Sequence, residues 1–523
     1  MINTGKLTGR ERLLSISIKV RREWSKRWRT TRCNSGLSEA ADTWANVRVG
    51  KSGRHERDEK CTNGKASLRE IPEVRGLPLL GTALSLISAG GAKKLHEYVD
   101  RRHKQLGPIY RERIGPVPAI FISSPQLYGK IFRLEGPTPK HFLPEAWMLY
   151  NEMRSLKRGL LFMDDQEWLH FRRILNKILL APGTTNWMIR PCQIAAENLA
   201  NKLAAICESR SYVAHLEPHL YAWSNEVMLG TLMGSTSWHC HKDQILKEYS
   251  NSLASNLHEI FEYTSQLSML PAKLAMTWNF PSWRKFVKSA DSAFSTLHSL
   301  VSKILDIGGD GLLQRMMEDG VNKTDLSRII GDFVLAAGDT TVFSIQWAIL
   351  MLSRHPEIQK ELRDNLRGLP PEESISDSLL KGVIKETLRL YPTAPFLTRY
   401  LPENSVLDNY FVQKEDLLLL SLYTSGREAS NYQNPEIFEP ERWMRNNGYY
   451  QKVIHPYASL PFAMGARSCI GRKLAETQML LALAELVKNF KIDCINKDRV
   501  EMILHMISVP SEPIQLKLSK LRD

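Results

Sequence analysis

Between about 326 and 353, apolar residues recur at helical spacing over an unusually long stretch. The pattern predicts one long helix there. Shorter stretches of the same kind predict helices over roughly 92–106, 165–180, 190–208, 218–233, 245–265 and 286–306. Others come at about 355–367 and 377–390, with a last one from Arg472 to Asn489. Strand-like runs are fewer: Ile109–Ile114, Ala119–Ser123, Val406–Val412 and Leu417–Leu422, with short strands after the last helix. The ordered pattern begins near Ile71-Pro-Glu-Val-Arg-Gly76-Leu-Pro78, where Pro and Gly mark an irregular entry segment. No internal repeat or low-complexity linker divides the chain beyond that point. The expectation is a mainly α protein with a minor β subdomain, folded as a single globular domain over residues 71–523.

Composition changes this picture mainly at the N-terminus. The chain has 523 residues, 43% of them hydrophobic, enough for a large core. Its net charge of +14 is unevenly placed, since residues 1–65 carry 16 basic and 7 acidic side chains. The remaining 458 residues are close to balance, so a general nucleic-acid surface is excluded. Residues 1–32 hold ten Lys or Arg and two acids, with Ser, Thr and Trp among them. Their one apolar patch, Leu13-Leu14-Ser-Ile16-Ser-Ile18, is too short to span a bilayer, and no secretory cleavage pattern accompanies it. A mitochondrial presequence fits, with a plain basic tail as the alternative. Residues 1–70 are therefore expected to be a presequence and then a polar, disordered or processed segment. The seven cysteines, Cys33, Cys61, Cys192, Cys207, Cys240, Cys469 and Cys494, are scattered and form no CxxC pair. That argues against a disulfide framework or a zinc site and fits a reducing compartment.

Four groups of residues carry candidate chemistry. In Phe462-Ala-Met-Gly465-Ala-Arg467-Ser-Cys469-Ile-Gly471, one cysteine lies between two glycines. A thiolate is a strong electron donor to haem iron, the glycines suit a backbone close to a flat macrocycle, and the Arg467 fork suits a carboxylate. The alternative is a buried structural cysteine. In Gly331-Asp-Phe-Val-Leu-Ala336-Ala337-Gly338-Asp339-Thr340-Thr341, small residues leave room on a helix, and Asp339 and Thr340 are placed to pass protons. The alternative is a helix break with a Thr bonded to its own backbone. Glu386 and Arg389 in Lys385-Glu386-Thr-Leu-Arg389 share a helix face, which alone suggests a surface ion pair. Trp168 and Arg172 likewise share a face, and both are donors able to reach anionic oxygens.

These segments, in this order, resemble the cytochrome P450 family, and the resemblance runs from about residue 71 to the end. It implies a cytochrome P450 fold, haem b held by Cys469 through its iron, and a loop shaped by Phe462, Gly465 and Gly471. It implies that Trp168, Arg172, Arg399 and Arg467 hold the haem propionates, and that Asp339 and Thr340 serve oxygen activation. Glu386, Arg389 and Arg442, the last from Phe438-Glu-Pro440-Glu441-Arg442-Trp443, would form a buried bracing triad. One departure is Ala337, where the wider family commonly has Gly. No dinucleotide- or flavin-binding module is visible, so electrons must come from another protein. Lys381 and Lys385, one helical turn apart, and Arg472 after the loop resemble the docking patch of mitochondrial members for an acidic two-iron two-sulfur ferredoxin, itself reduced by an NADPH-dependent reductase. A solvated basic face is the plain alternative. The mitochondrial class implies residence on the matrix side of the inner membrane, attached peripherally.

At a finer level, Ala89-Gly-Gly-Ala92, Glu167-Trp-Leu-His170, Leu335-Ala-Ala-Gly-Asp-Thr-Thr341 and Leu420-Ser-Leu-Tyr-Thr424 resemble the insect ecdysteroid 2-hydroxylases. That implies conversion of 2-deoxyecdysone to ecdysone. Hydroxylation at C20 or C22 of an ecdysteroid, or of a xenobiotic, is the rival. A haem-thiolate isomerase or haem binder that leaves oxygen alone is a second rival, and Asp339-Thr340 speaks against it.

Overall fold

The computed structural model describes residues 68–521 apart from 79, 447, 448 and 451. The basic N-terminal stretch expected to be a presequence lies outside these. Helix dominates. The principal helices are α1 (Leu95–Leu106), α2 (Asp165–Leu175), α3 (Asn186–Arg210), α4 (Glu217–Met233) and α5 (Ser235–Leu267). They continue with α6 (Pro281–Ile307), α7 (Lys323–Arg354), α8 (Ser378–Leu390) and α9 (Arg472–Asn489). Helix α7 starts where the Asn322 side chain accepts the Asp325 N–H at 2.9 Å, and α8 where Asp377 accepts the Leu380 N–H at 2.7 Å. Such caps satisfy amides that the first turn leaves unpaired.

Helix α7 is the central element. From Val342 to Ser353 every residue is buried, and α7 packs against α4, α5, α6, α8 and α9. It is long and apolar enough to cross a bilayer, yet 78% of its most apolar window is buried inside the protein. A helix apolar all round and covered by neighbours belongs to a core.

The β component is small. Strands β1 (Glu73–Val74), β2 (Ile109–Ile114), β3 (Val117–Ile122), β4 (Phe396–Arg399) and β5 (Leu418–Ser421) form one sheet in the order β1-β2-β3-β5-β4. Pairing is antiparallel at β2–β3 and β4–β5 and parallel at β1–β2 and β3–β5. The late hairpin of β6 (Met502–His505) and β7 (Ile507–Pro510) packs on α7 through Ile507, Val509 and Phe343.

Three expectations need adjustment. The run Val406–Val412 is a hairpin, Ser405–Leu407 pairing with Tyr410–Val412, because Asp408 turns the chain with φ of 53°. The helix expected over 165–180 stays α-helical only to Leu175 and then makes a π turn, Asn176–Leu180. Helix α5 begins at Ser235 rather than near 245, directly after Gly234, whose φ of 84° separates it from α4. Its first ten residues are polar and carry little periodic signal.

Candidate active site

The loop 462–471 folds back on itself before α9. The Cys469 N–H donates to the Phe462 carbonyl at 2.9 Å, and the Ser468 N–H to the Gly465 carbonyl at 3.1 Å. Gly465 has φ of 81°, and a Cβ there would stand 1.9 Å from Glu135 Oε1. That oxygen accepts the Ala466 N–H at 2.8 Å. Glu135 thus anchors the loop from outside it, a role that no local pattern in the sequence announces. The Cys469 side chain is accessible, while the protein around it pushes the thiol pKa up. The Gly471 N–H, Arg172 and Arg472 act in the opposite sense and favour the thiolate. The start of α9 three residues on adds its positive end. Around Gly471 a Cβ would meet only the Cys469 sulfur, at 4.0 Å, so this side of the thiol is kept open.

Beside the loop the fold gathers cations. Arg467 lies over the Trp168 ring at 4.4 Å, donates to the Pro139 and Met163 carbonyls at 2.8 and 2.7 Å, and pairs with Asp164 at 2.8 Å. Burial first, then Arg399 and Arg172, push its pKa down to about 10 against the pull of Asp164. Arg399 pairs with Glu135 at 2.6 Å. Arg172, on the face of α2 that also carries the buried Trp168, is 5% exposed. It reaches Ser468 Oγ at 3.3 Å, while its Nε has no partner and no carboxylate pairs with it among the described residues. His141 adds a second set of unsatisfied groups. Neither ring nitrogen makes a well-formed hydrogen bond among the described residues, and burial, then Arg467 and Arg399, lower its pKa to about 3 against the opposing pull of the nearby Leu161 backbone. An uncompensated buried cation is costly, so the arrangement calls for an anionic ligand. Nothing in the sequence singles out His141, since a lone histidine in Lys140-His141-Phe142 has no distinguishing context.

On α7, Asp339 and Thr340 are adjacent but face different surroundings. Asp339 is 1% exposed and accepts a hydrogen bond from the Tyr221 hydroxyl of α4, while its Oδ2 has no partner. Burial raises its pKa to about 6 against the Tyr221 bond and His258, with Glu217 adding to the rise. Thr340 is half-buried, and its hydroxyl donates to the Ala336 carbonyl at 2.7 Å. The helix is unbroken there, so the threonine back-bonds within an intact helix. Ala336 is exposed although the rest of this part of α7 is largely buried. The Ala337 carbonyl accepts from Ser224 at 3.3 Å, and Ala337 itself leaves the helix regular.

Glu386, Arg389 and Arg442 meet in the interior, each at most 1% exposed. Arg389 grips Glu386 with two bonds, 2.9 and 2.8 Å, and Arg442 Nε donates to the same carboxylate at 2.8 Å. The Trp443 indole N–H is a fourth member at 2.8 Å. Arg389 also donates to the Gly426 carbonyl at 2.6 Å and Arg442 to the Gln433 carbonyl at 2.9 Å. The surface-pair alternative is therefore not what the fold builds. Gly382 lets α8 approach the turn Pro440–Trp443, where a Cβ would stand 2.5 Å from the Pro440 carbonyl oxygen.

Also on α8, Lys381 is exposed and donates to the Ser376 carbonyl at 3.2 Å. Lys385 is half-buried with its ammonium 5.8 Å from the centre of the Trp443 ring. Arg472 is exposed, pairs with Glu476 at 3.2 Å and stands over Phe462 at 5.8 Å. Helices α8 and α9 pack together, which places both basic groups on neighbouring elements.

A family model described as cytochrome P450 matches residues 71–518. A Drosophila melanogaster protein described as "Cytochrome P450 315a1, mitochondrial" is 41% identical over 470 residues, covering 86% of this chain and 88% of its own length. The mitochondrial 1,25-dihydroxyvitamin D(3) 24-hydroxylase of Rattus norvegicus is 27% identical, covering 87% and 90%. The mitochondrial cholesterol side-chain cleavage enzyme of Oncorhynchus mykiss is 27% identical, covering 94% and 98%.

Proposed function

The chain belongs to the cytochrome P450 family, and from that premise we propose that it hydroxylates a steroid in the mitochondrion, at carbon 2 of an ecdysteroid. It is a haem-thiolate monooxygenase with haem b as cofactor. The observation that carries this reading is Arg172, a buried guanidinium without a carboxylate, next to the accessible thiol of Cys469. The open side of Cys469 at Gly471 suits a flat macrocycle, and Arg172, Arg399, Arg467 and His141 suit its two propionates. The residues present therefore fit haem. Cys469 is the proposed iron ligand, with Trp168 and Phe462 flanking.

Bound haem supplies the reduction of dioxygen and insertion of one oxygen atom into a C–H bond. The balance is one substrate C–H, one dioxygen, two electrons and two protons, giving one hydroxylated product and one water. The chain's own residues bias the thiol and manage the protons. The Gly471 N–H, Arg172 and Arg472 favour negative charge on the Cys469 sulfur, against the burial that raises its thiol pKa. Thr340 Oγ1 holds a proton on the accessible side of α7 beside Ala336. Asp339, with a pKa near neutrality at about 6 and one unpaired oxygen, is suited to take up and release protons behind it.

Mitochondrial members generally draw electrons from a ferredoxin. Lys381, Lys385 and Arg472 are the proposed docking groups for its acidic surface; the packing of α8 on α9, which follows the loop that carries Cys469, supports this. Peripheral attachment to the inner membrane rests on the mitochondrial class, and the exposed apolar residues Leu84, Ile87, Leu270, Leu274 and Trp278 are its candidate contacts. Ecdysteroid 2-hydroxylation rests on the subgroup resemblance together with the mitochondrial relatives.

The test is turnover of an ecdysteroid precursor panel with ferredoxin, its reductase and NADPH, the new hydroxyl being located by mass spectrometry. The expected result is ecdysone from 2-deoxyecdysone. Product bearing the hydroxyl at C20 or C22 instead would replace the 2-hydroxylase assignment. In parallel, reduced protein should give with carbon monoxide the absorption band that names the family. Cys469→Ser should lose it, and loss in a different cysteine variant instead would overturn the ligand.

A further inference from the structure

Helix α5 carries His258 and Glu262 four residues apart, hence on one face. His505 ends β6 at the tip of the β6–β7 hairpin, where Met506 turns the chain with φ of 62°. The two imidazole rings are 5.5 Å apart. One donor atom from each of His258, Glu262 and His505 lies within 4.8 Å of the others. Glu262 Oε1 accepts from Gln266 at 3.4 Å, and no bond to its other oxygen is seen among the described residues.

His505 is the unusual member. Both ring nitrogens are shielded from solvent and neither has a hydrogen-bond partner. Shielded polar atoms normally find partners, so this ring is set up for something else. The hairpin that bears it is held in place. The Ser508 N–H donates to the Thr393 carbonyl at 2.9 Å, and Ile503, Ile507 and Val509 pack around Phe343 of α7. Phe343 also lies 6.2 Å from the His258 ring.

We propose that His258, Glu262 and His505 together bind one divalent transition-metal ion of the zinc class, leaving a fourth position for water. Two imidazoles and one carboxylate form a borderline nitrogen and oxygen donor set that suits zinc and its neighbours rather than calcium or magnesium. The i, i+4 pair from a helix supplies two ligands in fixed relation, and the hairpin supplies the third across the gap. Burial first, and His258 second, lower the His505 pKa to about 4, so at neutral pH its lone pair is available without loss of a proton. The surrounding charges are mixed: Lys93 faces His505, and Glu217 faces His258. Neither belongs to the three-residue donor set.

The test is calorimetric titration of the haem-loaded protein with zinc chloride, comparing wild type with His505→Gln and Glu262→Gln. Wild type should take up an equivalent of zinc that each variant binds at least about tenfold more weakly, since even loss of an outer-sphere partner commonly costs that much. Zinc-edge X-ray absorption should report two imidazoles in wild type and one in His505→Gln. Glu262→Gln changes a helix-surface carboxylate and keeps its shape, so it reads the site without depending on the hairpin. The exposed His239 and Cys240, with His241, are the competing zinc ligands. Equal affinity and stoichiometry in wild type and both variants would put the ion there and overturn the proposal, as would no zinc uptake at all.

Discussion

Asp339 shows how much a single buried carboxyl can couple. Burial lifts its pKa from the ordinary 3.8 to about 6, so the folded protein holds this proton more tightly than the unfolded chain. By linkage, that group's destabilisation grows as pH rises from about 4 to about 6 and is constant above. Asp339→Asn should therefore gain stability relative to wild type as pH passes through that window, with the full gain above pH 6 and little near pH 4. Denaturant midpoints at a series of pH values check this, and a pH-independent difference would show that Asp339 does not titrate there. Thr340 tests the proton side of the chemistry. Thr340→Ala should still bind substrate and accept electrons but release more peroxide for each hydroxylated product. An unchanged peroxide-to-product ratio would leave Thr340 only its bond to Ala336. The sequence pointed to both residues. It was silent on Tyr221, His141 and Glu135, because each acts through a contact distant along the chain.

Among the elements, α8 combines two jobs. Its buried face presents Glu386 and Arg389 to Arg442 and Trp443 of the turn Pro440–Trp443. Glu386 answers two guanidiniums and an indole, so replacing it leaves buried Arg389 without its carboxylate and buried Arg442 with only Glu439, 3.3 Å away. Glu386→Gln is expected to cost about 3–5 kcal/mol of folding stability, the usual range when one member of a buried charged set is removed. Denaturant unfolding of the haem-loaded protein measures it, and a change within about 1 kcal/mol would mean that Glu439 and the backbone carbonyls around Arg389 and Arg442 already satisfy both cations. Spacing of three residues put Glu386 and Arg389 on one face, but spacing could not tell an inner face from an outer one. The same limit explains the hairpin at 405–412. Alternation of residue types marked an extended run, and the reversal at Asp408 depends on a backbone angle that alternation does not encode.

For the whole molecule, the question is how electrons arrive. Lys381 is exposed on α8, Lys385 is half-buried one turn later against Trp443, and Arg472 opens α9 just beyond Cys469. Redox encounters are small and charge-steered. Lys381→Glu with Lys385→Glu should weaken ferredoxin-supported turnover about tenfold or more if the pair contributes about 1.4 kcal/mol to the encounter. Added salt should weaken wild type in the same direction, while peroxide-driven product formation should hardly change. An equal fall by both routes would place the lysines in the support of the fold. The sequence alone determined the helical class, the long central helix, the thiol-bearing loop and the order of its motifs, because these are local: periodicity, glycine placement and residue spacing lie within a few turns of chain. Tertiary structure alone decided which side chains are left without partners. Arg172 without a carboxylate, the raised pKa of Asp339 and the unpaired ring of His505 depend on what distant segments exclude, water above all, and exclusion is a property of the packed molecule.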